Sequence, residues 1–100
     1  MKREVVITPR AQVEIQTIFE YLEIKWNEKT KRKFANKINA IIIQIVDNPE
    51  LFPVSTLNKK IRKGVLSKQC SLFYHFNSKH IVVVSVFDTR QNPSKIKKIQ

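Results

Sequence analysis

One hundred residues, 42% of them apolar, with a formal net charge of +11 describe one folded domain, 1–100, and exclude disorder as the default. The single glycine, Gly64, excludes a glycine-rich phosphate loop, and the single cysteine, Cys70, excludes an internal disulfide and fits a reducing, cytoplasmic setting. Residues 1–50 hold nine basic and seven acidic side chains, and residues 51–100 hold ten and one, so the second half projects most of the positive field.

In chain order, Glu4 to Ile7 reads as a short strand. Thr8 then offers an N-cap oxygen and Pro9 a pre-set first helical position. On a helical wheel Ala11, Ile15, Ile18, Phe19, Leu22 and Trp26 share one arc and form a buried face. Val13, Tyr21 and Ile24 lie away from it, either as ordinary exposed apolar residues or as anchors for a partner. Asn27 caps a second helix running to about Val46, with Phe34, Ile38, Ile41, Ile42 and Ile45 inward and Asp47-Asn48-Pro49 ending it. The short link makes the two helices an antiparallel hairpin. Early in the second helix Lys29, Lys31, Arg32, Lys33 and Lys37 face Glu28 alone, which opposes the macrodipole. This run either extends a basic face or is solvated surface.

Three strands follow an irregular passage, at roughly Ile61 to Leu66, Cys70 to Phe76 and His80 to Phe87. A three-residue turn at Asn77-Ser78-Lys79 sets Leu72 opposite Val84 and Tyr74 opposite Val82, on the face expected to carry the helices. The same turn sets Ser71 opposite Ser85, Phe73 opposite Val83 and His75 opposite Ile81 on the face left open for function. No membrane-length apolar run or signal-peptide core interrupts this order.

The last strand, Ile81-Val82-Val83-Val84-Ser85-Val86-Phe87, has the composition of a strand covered on both faces. It breaks abruptly into Asp88-Thr89-Arg90-Gln91-Asn92-Pro93, which holds an arginine at the end of a rigid element. With that stretch closing a strand, two helices and a three-strand meander, nearly the whole chain resembles a toxin of the RelE/ParE superfamily, the plasmid stabilisation proteins. The resemblance implies a two-layer α+β fold in which the first strand lies beside the last, in the order first, fourth, third, second. It also implies a cytoplasmic type II toxin silenced by a cognate, acidic antitoxin, and no cofactor.

Two target classes follow from the resemblance. RelE-like members cleave mRNA on the ribosome with basic side chains, and ParE-like members poison DNA gyrase without that chemistry. Where the ribonuclease pattern places an arginine on the third strand this chain has Ser71, and its tail from Arg90 to Gln100 has no tyrosine or histidine. The ParE-like branch is therefore the expectation, with a ribosome-dependent endonuclease and a non-toxic basic nucleic-acid-binding module as alternatives. Target binding falls to Lys59, Lys60, Arg62, Lys63 and Arg90, of which Arg90, Arg62 and Lys60 would be catalytic in a ribonuclease. Antitoxin binding falls to Val13, Tyr21 and Ile24. A Ser71–His75–Asp88 triad lacks a nucleophile elbow, and strand alternation separates Cys70 from His75, so no metal site is expected.

Overall fold

The computed structural model describes residues 2–56 and 58–89. Its elements are β1 (Glu4–Ile7), α1 (Pro9–Lys25), α2 (Glu28–Asp47), β2 (Arg62–Val65), β3 (Cys70–Phe76) and β4 (His80–Asp88). Both helices start where a side chain can take an orphan amide. Thr8 Oγ accepts from the Ala11 N–H at 3.2 Å, and Asn27 Oδ1 accepts from the Thr30 N–H at 2.8 Å. Only Trp26 and Asn27 separate the helices, so the chain turns straight back on itself. Phe19 meets Phe34 edge-on at 5.5 Å, and Lys31 reaches back to Glu23 at 3.3 Å, closing the hairpin.

Ala11, Ile18 and Leu22 of α1 pack with Phe34, Ile38, Ile41 and Ile45 of α2 in one buried cluster, and Ile15, Phe19 and Ile42 lie half-buried against it. Trp26 departs from the wheel. The helix ends at Lys25, Trp26 takes φ −122° and ψ −105°, and the indole is left 54% exposed.

The sheet order is β1-β4-β3-β2, with β1 parallel to β4 and the remaining pairs antiparallel. The connection that the parallel neighbours β1 and β4 require runs through the helical hairpin, β2 and β3, and the hairpin covers one face of this mostly antiparallel sheet. Near the hairpin the register differs from the expected one. Asn77 Oδ1 accepts from the amides of both Lys79 and His80 at 2.8 Å, and this Asx turn tightens the connection. Tyr74 consequently pairs with Val83 and His75 with Val82. An irregularity at Phe73/Tyr74 then shifts the ladder, so that Phe73 meets Ser85 and Leu72 meets Val86.

This slip exchanges faces along β4. Ile81 and Val83, expected on the open side, join Leu72 and Tyr74 in the core, while Val82 and Val84 are half-exposed. Phe73 is likewise not open: it is 1% exposed. β1 stops at Val83, and Glu14 of α1 takes over the vacated edge of β4, accepting from Ser85 Oγ at 2.8 Å and from the Val86 N–H at 3.3 Å. At the other edge Gly64 lets β2 approach the helices, since a Cβ there would meet Ile41 Cδ1 at 3.0 Å and the Phe52 ring at 3.2 Å. Among the described residues no helix is long and apolar enough to cross a membrane.

Candidate functional site

The antiparallel register of β2 and β3 decides where the basic residues go. Arg62 pairs with Tyr74 and Lys63 with Phe73, so the two neighbouring cations leave β2 on opposite faces. Arg62 is half-buried. Its guanidinium donates to the Phe52 carbonyl at 2.7 Å and to the Glu50 carbonyl at 3.4 Å. It also lies 5.7 Å from the centre of the Phe76 ring, while Arg3 lies 5.3 Å from the same ring and donates to the Asn77 carbonyl. Two guanidinium groups and one ring thus tie β1, β2 and the β3–β4 turn together.

Beneath Arg62 the Tyr74 hydroxyl donates to the Pro49 carbonyl at 2.8 Å. Burial raises the Tyr74 pKa above its ordinary 10.0, while a main-chain hydrogen bond at Phe52 and the Arg62 charge pull it partly back. Arg62 and Tyr74 therefore fasten the segment after α2 from both ends. Lys63 N–H donates to the Pro53 carbonyl and Ser55 N–H to the Ile61 carbonyl, which lays that segment along β2.

Lys59 and Lys60 are exposed in the turn that enters β2, where Asn58 Oδ1 accepts from the Lys60 N–H at 3.0 Å. Because Arg62 pairs with Tyr74, this turn lies at the end of the sheet occupied by His75 and the Asn77–His80 connection. Lys63, on the face away from the helices, borders a 340 Å³ hollow with Pro53, Val54 and Val65. Ser71 is half-exposed and pairs with Val65 and Phe87, toward the other end of β3. Arg90 lies outside the described residues. Lys59, Lys60 and Arg62 are thus brought to one end, and Lys63 is turned to the opposite face.

On α1, Val13 and Ile24 are 65% and 77% exposed, and Tyr21 is half-buried. At about 100° per residue Val13, Thr17 and Ile24 fall on the side away from the buried Ala11, Ile18 and Leu22, and Tyr21 lies at the flank, about 80° from the centre of that buried face. The wheel turns Val13 and Ile24 outward, with Tyr21 at their edge.

A family model described as the ParE toxin of the type II toxin–antitoxin system parDE matches residues 5–93. The chain belongs to this ParE toxin family. No curated protein sequence matches it. Among solved structures the ParE-family chain is similar to one from the chromosomal ParDE system of P. aeruginosa, with TM-score 0.73 and 11% identity over 87% of this chain and 96% of that one. It is also similar to one from the E. coli DinJ–YafQ complex, with TM-score 0.62 and 10% identity over 92% and 98%. A third is the YoeB dimer of Staphylococcus aureus, with TM-score 0.61 and 18% identity over 87% and 97%. At these identities the likeness is one of fold, and it matches the RelE/ParE architecture expected from the sequence.

Sequence reading of this ParE-family chain missed Glu14 as the cover of the β4 edge and Arg62 as a tie to the loop carbonyls. Arg62 has its stem on the core side because it pairs with the core Tyr74, and that follows from strand register, not from its residue type. Glu14 carried no signal, since its partner is a main-chain amide seventy-two residues away.

Proposed function

We propose that this ParE-family protein is a toxin that binds and inhibits DNA gyrase without cleaving nucleic acid, and that a cognate acidic antitoxin neutralises it. The observation carrying this reading is the ParE family match over residues 5–93, and Ser71, standing where the resemblance implies an arginine in the ribonuclease pattern, supports it. Lys59, Lys60, Lys63 and Arg90 supply the cationic contacts to the target in this reading. Arg62 orders the loop beside them through Phe52 and Glu50. Val13, Tyr21 and Ile24 supply apolar anchors for an antitoxin arm, with surrounding charge setting orientation and encounter rate.

One observation favours the second reading, a ribosome-dependent endonuclease. His75 stands at the same end of the sheet as Lys59 and Lys60, so an imidazole, the side chain that most often serves as a general acid or base, shares an end with two cations. Primer extension on ribosome-bound messages after induced expression separates the two. Growth arrest without breaks is the expected outcome, and cleavage inside A-site codons favours the endonuclease.

A further inference from the structure

At the end of the molecule away from Lys59 and Lys60, α2 and the β2–β3 turn enclose a second basic feature. A pocket of about 230 Å³ has Phe34, Leu66 and the buried Cys70 among its lining. Thr30, Ser67 and Gln69 add polar groups, and Lys33 and Lys37, one helical turn apart, stand over it. Among the described residues no carboxylate lines the pocket. The volume lies below the range that suits a drug-sized organic ligand but accommodates a tetrahedral oxyanion with its first substituent.

The local electrostatics point the same way. Of the five cations between Glu28 and Lys37, Lys31 is paired, with Glu23 at 3.3 Å and Glu28 at 3.9 Å. Among the described residues Lys29, Arg32, Lys33 and Lys37 have no ion pair, and neither does Lys68 in the adjoining turn. Uncompensated like charges three or four residues apart on a helix repel one another and oppose folding. Lys33 and Lys37 converge on one pocket, so a bound anion would offset their mutual repulsion. Phosphate fits the donor set better than carboxylate: two ammonium groups plus hydroxyl and amide donors suit three or four acceptor oxygens.

We propose that Lys33 and Lys37, with Ser67 and Gln69, form a phosphate-binding pocket that receives the backbone of a nucleic acid. The site is separate from Lys59 and Lys60, which lie at the other end of the sheet. It gives the protein a second point of attachment, suited to a target that carries nucleic acid.

Titration of the full chain with inorganic phosphate, followed by amide NMR and thermal melting, tests the pocket. Phosphate should move the Ser67 and Gln69 amides and raise Tm. Lys33→Gln with Lys37→Gln should abolish both effects, and Lys33→Arg with Lys37→Arg should restore them. Fluorescence anisotropy with a labelled oligonucleotide identifies the source. The glutamine pair should weaken binding about tenfold and lower the salt slope by between about one and two, as expected for two lost phosphate contacts. Lys59→Gln with Lys60→Gln should leave the pocket amides responding to phosphate as before. Unmoved Ser67 and Gln69 amides would overturn the pocket. Response to phosphate with no difference between variants in oligonucleotide affinity would overturn the nucleic-acid assignment. Tighter binding of a poly-glutamate peptide than of the oligonucleotide would do the same and make the occupant an acidic protein segment.

Discussion

Arg62 and Tyr74 show how a basic residue in a suspected binding cluster acquires a structural duty. The guanidinium is held by the carbonyls of Phe52 and Glu50 and by the face of Phe76, while the phenol is held by the carbonyl of Pro49. A charge-assisted bond of this kind is worth about 2 kcal/mol, and removing it leaves the Phe52 carbonyl in need of water. Arg62→Ala should therefore lower the urea-unfolding free energy by about 2 kcal/mol, where Lys60→Ala changes it by less than about 0.5 kcal/mol. Equal, small effects would show Arg62 to be ordinary surface. Tyr74→Phe should cost about 1 kcal/mol at neutral pH for the lost hydroxyl bond. It should also change the alkaline limb. Burial raises the folded-state pKa of Tyr74, so the stability carried by the neutral phenol is complete below pH 10.0 and is lost as pH climbs toward the raised value. The difference in stability between wild type and Tyr74→Phe should shrink above pH 10, measured by urea unfolding at stepped pH.

Along the elements, caps and periodicity carried most of the information. Thr8 and Asn27 mark the two helix starts in the sequence, and their oxygens take the amides expected of them. The strand boundaries of β3 were likewise legible from its flanking turns. Strand register was not. The difference between a three-residue turn and the tighter one rests on the Asn77 side chain, and the shift at Phe73/Tyr74 leaves no mark in an unbroken apolar run. Because β4 is apolar on both faces, either register buries plausible side chains, and alternation cannot choose. The outward side of α1 is the element-level feature with a partner in view. Val13→Ser with Ile24→Ser removes two exposed apolar groups without touching Ala11, Ile18 or Leu22. The pair should leave Tm within about 2 °C. It should weaken antitoxin binding at least about tenfold by titration calorimetry, since each buried side chain of this size contributes roughly 1 to 3 kcal/mol. Unchanged affinity would move the contact from α1 to a sheet edge.

Taken as a molecule, the chain places its cations at two ends of one sheet rather than in the single cluster that sequence order suggested. Lys59 and Lys60 sit with the β3–β4 turn, Lys33 and Lys37 sit with the β2–β3 turn, and Lys63 projects from the face away from the helices. Net charge and its excess in residues 51–100 were legible from composition, but the separation depends on β2 running back along β3. A protein charged at both ends and apolar along one helix suits an interaction role with two partners, one anionic and one carrying an apolar arm. The central claim is that the anionic partner is gyrase and that no phosphodiester is cut on the protein's own account. DNA supercoiling by purified gyrase, assayed with the full chain alone and with its antitoxin, tests this most directly. The account predicts that the chain inhibits supercoiling in proportion to its concentration and that the antitoxin restores it. Full supercoiling activity at saturating chain, under conditions where the same preparation arrests growth on induction, would contradict it.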